Sequence, residues 1–191
     1  ALFAHTGLSL AIARGSGKAV SQLGAVARQS GIAVSLHGTG GAWMILGDSA
    51  DAHDVSSYVL HSLDRKVCNT LNVVAMTNDT SMHNIQSVLN GISASATQRG
   101  TQATVHVSKA SQHLLGSCVI PENLDLRWSN HIDYSQEYEW ENEPELALYF
   151  GSDIHECVKT FNAHSPQFVV CCLSQDQNDH DLVWRECNAP F

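Results

Sequence analysis

Along the chain, short apolar runs alternate with longer stretches whose apolar positions recur every three or four residues. Residues 8–13 predict a strand, and the Gly15-Ser16-Gly17 turn leads from it into a helix over 18–29, with Val20, Leu23 and Val26 on one face. Gly31 ends that helix. A second strand covers 32–36, and the Gly-rich turn 37–41 delivers a third at 42–46. Asp48-Ser49-Ala50-Asp51 offers N-cap residues for a helix running to about Lys66, with Val55, Tyr58, Val59 and Leu63 inward. A strand at 72–77 follows, then a helix capped from Asn78-Asp79-Thr80 and carrying Met82, Ile85, Val88, Leu89 and Ile92 at the helical period. A short strand at 104–107 and a short helix at 108–115 come next. Residues 116–145 lack regular patterning and hold an acidic run from Glu137 to Glu145. Order returns with a strand at 146–150, a helix at 153–163, a strand at 168–173 and a last helix from about Asp179. Strands alternating with helices predict an α/β fold of three layers, a largely parallel sheet with helices on both faces.

Composition narrows what such a fold does. With 191 residues the chain is long enough to bury a core without disulfides or metals. A formal net charge of −9, with only 10 Lys and Arg, argues against nucleic acid or an anionic membrane as partner. No apolar run is long enough to span a bilayer. Ala1 starts in mid-pattern without a basic start or cleavage site, so no signal peptide is expected. The 6 cysteines include no Cys-x-x-Cys spacing, and the 11 histidines no His-x-x-x-His spacing. Neither a disulfide framework nor a metal site is expected, and a reducing, cytoplasmic setting fits.

One cysteine stands in distinctive company. Cys68 closes the stretch Asp64-Arg65-Lys66-Val67 and precedes Asn69-Thr70. Neighbouring cations lower a thiol's pKa, and thiolate is the reactive form. A chain turning at Asn69-Thr70 leaves backbone N–H groups able to hold an oxyanion. The same residues also suit a buried thiol between two solvent-facing cations, because cysteine is among the most buried residue types. Gly15 and Gly17 allow a phosphate close to the backbone at a helix start, though such turns also occur in plain βα connections. His37 is either a turn residue or a proton carrier that would make Cys68 a thiol hydrolase. The acidic run reads as a solvated edge, or as a source of one carboxylate for a ribose hydroxyl.

Taken in order, A-R-G-S-G-K-A-V at 13–20, I-A-V-S-L-H-G-T-G-G-A-W-M-I-L-G-D-S-A-D at 32–51, D-R-K-V-C-N-T at 64–70 and E-Y-E-W-E at 137–141 resemble the γ-glutamyl phosphate reductases, a branch of the aldehyde dehydrogenase superfamily. The resemblance runs over nearly the whole chain but covers under half of a full-length member. It implies an aldehyde dehydrogenase-like catalytic domain at 32–191, preceded at 1–31 by the last βα unit of a cofactor-binding domain. It implies Cys68 as the catalytic nucleophile, with Gly15, Ser16 and Glu139 binding NADPH. The implied reaction is reduction of a small-molecule acyl phosphate, L-glutamate 5-phosphate, to glutamate 5-semialdehyde through a cysteine thioester, on the route to proline. A homo-oligomer is implied for the full-length form, and inactivity for this portion alone. The superfamily's deacylating glutamate falls near His37, and a reductase does not need that base. The alternative is a non-catalytic aldehyde dehydrogenase-like domain used for binding or assembly.

Overall fold

A computed structural model describes residues 2–5, 7–15, 17–37 and 40–190, with the backbone alone at Lys18 and His37. The chain forms two compact units, 1–40 and 41–191. In the first, β1 (Leu10–Arg14) lies parallel to β2 (Ala33–His37), joined by α1 (Gly17–Gln29). Ala11, Ala27 and Ile32 form its small core. Leu10 and Ile12, alternating with the buried Ala11 and Ala13, stay exposed. Strand β2, which the sequence reading sets after its division at Gly31, pairs with β1 within the first unit.

The second unit is a six-stranded sheet in the order β6-β5-β7-β4-β3-β8, with every pair parallel. Its strands are β3 (Ala42–Leu46), β4 (Leu71–Thr77), β5 (Ala103–Ser108), β6 (Leu124–Ser129), β7 (Glu145–Gly151) and β8 (Val170–Leu173). Around them lie α2 (Ala52–His61), α3 (Met82–Arg99), the single turn α4 (Gln112–Leu115), α5 (Ile154–His164) and α6 (Gln177–Glu186). Strand order runs one way from β3 to β6 and back from β6 to β8. Right-handed crossovers therefore put α2 and α3 on one face and α5 on the other. Every residue of β3 and β4 is buried, which is why β3 reads as an unbroken apolar run and β4 as one interrupted only by Asn72 near its start and Thr77 at its end. The core includes Trp43, Met44, Leu46, Met76, Leu89 and Phe161. Trp43 is fully enclosed and packs edge-on against Tyr134 and Phe161. Its Nε1–H has no hydrogen-bond partner among the described residues.

The helix starts follow their caps. Asp51 accepts from the His53 and Asp54 N–H groups, Ser81 from Asn84, Asp153 from Glu156 and Asp176 from Asn178. Two segments differ from the sequence reading. Leu124–Ser129 forms β6 inside the stretch that reads as irregular, because an edge strand needs only the alternation Leu124, Leu126, Trp128 and tolerates Asp125 and Arg127 outward. The second helix stops at His61 instead of reaching Lys66. There the Thr70 hydroxyl donates to the Arg65 carbonyl at 2.7 Å and accepts from the Val67 N–H at 2.7 Å, taking backbone partners that a helix would need.

Candidate active site

Cys68 lies in the loop between α2 and β4, at the amino-terminal edge of the sheet, and is half-buried. The loop is held at several points. Its Cys68 carbonyl accepts from the Gly41 N–H at 2.8 Å, and the Leu71 N–H donates to the Ser62 carbonyl at 3.1 Å. From α3, Ser95 donates to the Leu63 carbonyl at 3.0 Å. The Arg99 guanidinium donates to the Leu63 and Asp64 carbonyls while lying 5.0 Å over the Trp140 ring. The Thr70 N–H donates to the Val67 carbonyl at 3.0 Å, so it is engaged within the turn and not offered to an oxyanion as the sequence reading has it.

The two cations beside Cys68 part company. Arg65 stays exposed and pairs with Asp64 at 3.4 Å. Lys66 turns inward, its side chain 10% exposed, and donates to Glu137 Oε1 at 2.5 Å. Glu139 Oε2 is 4.0 Å from the same ammonium. Both positive charges adjacent to the thiol thus already face carboxylates.

The partner segment is pinned from β4. Asn72, 3% exposed, donates its side-chain N–H to the Gln136 carbonyl at 2.8 Å and accepts from the Tyr138 N–H at 2.9 Å. Tyr138 stacks on His106 with ring centroids 4.6 Å apart, and His106 Nε2 is 2.7 Å from Glu145 Oε1. Burial first, then the Glu145 and Asp133 carboxylates, pushes the Tyr138 phenol up to about 12. The acidic run is therefore not one solvated face. Glu137 is half-buried on Lys66, Glu145 holds His106, and Glu139 is exposed beside Lys66. Among the predicted site residues, the structure brings Glu139 to the segment that carries Cys68. Asn72, Glu137 and Arg99 have no role of their own in the sequence reading, and Lys66 enters it only as a cation beside the thiol. A polar Asn at the head of an apolar strand was the one signal available for this clamp.

Gly15 sits in the first unit, in the β1–α1 turn, with open space where a Cβ would lie. The first turn of α1 has no acidic residue, so this end suits a phosphate. Ser16 and the His37 side chain lie outside the described residues, and with them the proposed Cys68–His37 pair. An exposed carboxylate such as Glu139 suits a pair of ribose hydroxyls. The described residues thus fit pieces of a dinucleotide, each within its own unit. No helix among the described residues is long and apolar enough to cross a membrane.

The fold is of the aldehyde dehydrogenase type. The γ-glutamyl phosphate reductase of Thermotoga maritima superposes with a TM-score of 0.72 over 95% of this chain and 40% of its own, at 15% sequence identity. An indole-3-acetaldehyde dehydrogenase of P. syringae, solved with NAD+ and IAA, gives 0.64 over 98% of this chain and 44% of its own at 12% identity. An engineered glycolyl-CoA reductase with bound NADP+ gives 0.63 over 98% and 47% at 9% identity. The chain spans less than half the length of each of these structures. No protein-family model and no curated protein sequence matches it.

Proposed function

We propose that this chain is the catalytic portion of a nicotinamide-dependent oxidoreductase of the aldehyde dehydrogenase type, with Cys68 as its nucleophile. The observation that carries this reading is the Cys68 turn, half-exposed at a sheet edge and tied to the segment bearing Glu139. Within the class, the motifs at 13–20, 32–51 and 64–70 favour an acyl-phosphate reductase using NADPH, with L-glutamate 5-phosphate as substrate and glutamate 5-semialdehyde as product in proline biosynthesis. Residues 1–31 would then derive from a cofactor-binding domain and the rest from a catalytic domain. The full-length form would be a cytoplasmic homo-oligomer.

The chemistry assigned to this chain begins with the Cys68 thiolate. It attacks the acyl carbon, the C–S bond forms, the bond from that carbon to the bridging oxygen breaks, and phosphate leaves with that oxygen and the electron pair. A reduced nicotinamide, when bound, supplies the hydride that takes the thioester to the aldehyde level. Gly15 and Ser16 would admit a cofactor phosphate at the start of α1, and Glu139 would accept from ribose hydroxyls.

The acylation half needs only Cys68 and is testable on this chain. Incubation with acetyl phosphate followed by peptide mass spectrometry is expected to give an acetyl adduct on the Cys68 peptide, absent in Cys68→Ala. No adduct, or equal adducts on all cysteines, would leave the non-catalytic binding domain as the better account.

A further inference from the structure

We infer that Lys66 is a positioning residue that fixes Cys68 relative to Glu139 by holding two distant segments on one ammonium; this rests on the reading of Cys68 as nucleophile. Residues 136–139 run past the head of β4, where Asn72 takes the backbone of 136 and of 138. In extended chain the intervening side chains, 137 and 139, share the opposite side. Both carboxylates face Lys66, at 2.5 and 4.0 Å. Asn72 thus clamps this segment by its main chain and Lys66 by its side chains.

Lys66 is the next residue but one before Cys68, inside a turn whose ends are fastened at Ser62–Leu71 and Gly41–Cys68. Its ammonium is nearly enclosed, and Glu137 is equally so, at 10% and 13% exposed. A lysine that only decorated the surface would keep its charge in water, because removing an ammonium from solvent is costly unless a partner is in place. Here the cost is met by an ion pair bridging positions 66 and 137. The consequence is geometric: the thiol's turn and the Glu139 segment cannot drift apart without breaking a buried pair.

A role confined to folding predicts something different from a positioning role. Removing a purely structural pair lowers stability but leaves the reactivity of Cys68 relative to other thiols in place. The experiment is iodoacetamide labelling of the intact chain, resolved by peptide mass spectrometry, with the Cys68 rate divided by that of Cys171 on β8, outside this turn. Lys66→Met and Glu137→Gln are each expected to change this ratio about fivefold or more, and the double variant to depart from the product of the two. Lys66→Arg, which retains the cation, is expected to restore the ratio to within about twofold. Ratios unchanged in both single variants, or strictly multiplicative effects, overturn the inference. Should Lys66→Met not fold, Glu137→Gln decides, since it keeps the side-chain shape. Failure of the underlying reading shows separately, as absence of the acetyl adduct on Cys68 in the unmodified sequence.

Discussion

Six thiols of one chain differ because each meets a different surrounding. Burial raises the thiols of Cys118 and Cys171, the second to about 11. It takes Cys157 and Cys172 to about 12 and Cys187 to about 11, with acidic neighbours adding to the effect at these three. A raised thiol pKa means less thiolate at neutral pH, so these five cysteines are expected to alkylate slowly. Labelling at pH 7.5 with a limiting reagent tests this: the label should map to Cys68 before the others, and early label on Cys157 would contradict the burial argument. At this same scale the sequence singles out Cys68 by its neighbours but not by what surrounds it in space. The pairing of Lys66 with Glu137 was not legible, because the two are far apart in the chain and nothing local tells a buried lysine from a solvated one. The expectation that Arg65 and Lys66 both act on the thiol missed that Asp64, Glu137 and Glu139 already face them.

Elements were read well where one physical cause dominated. The fully buried β3 and β4 announce themselves as apolar runs, and α3 by its helical period. The edge strand β6 and the stop of α2 were hidden, since each depends on a partner: β5 for the first, the Thr70 hydroxyl for the second. Helices α2 and α3 meet closely at Gly91 of α3, where a Cβ would meet the Ser56 carbonyl of α2 at 2.6 Å and the Val59 Cβ at 2.9 Å. Backbone cannot step aside as a flexible side chain would. Gly91→Ala is therefore expected to cost about 1–3 kcal/mol despite the better helix propensity of alanine, read as a lower denaturant midpoint. A neutral or stabilising result would mean that α2 and α3 are not seated this closely.

For the whole molecule, the parallel sheet separates two chemically distinct edges. The carboxyl ends of β3, β4, β7 and β8 open onto a cleft lined by Asp48, Asp79, Asp153, Asp176 and Asp179, whereas Cys68 sits at the opposite, amino-terminal edge. Fold class followed from the alternation of strand and helix patterns; the aspartate-lined cleft at the carboxyl edge did not, since it depends on where the chain threads the sheet. The buried phenols set a pH limit on the whole fold. Tyr138 is held up to about 12 and Tyr134 is also raised, while an unfolded tyrosine ionises near about 10. Their neutral forms stabilise the native state fully below about pH 10, and that contribution is lost as pH climbs through about 12. Denaturant midpoints should fall over that window in step with the rise of tyrosinate absorbance; midpoints level to pH 12 would show the phenols to be solvated. The enclosure of Trp43 has an optical consequence. An indole sealed among Tyr134, Tyr149 and Phe161 emits at short wavelength and is shielded from dissolved quenchers, whereas Trp184, 89% exposed, is open to them. Of the four tryptophans, Trp43 and Trp184 are thus the two extremes, one reporting on the intact interior and the other on the surface.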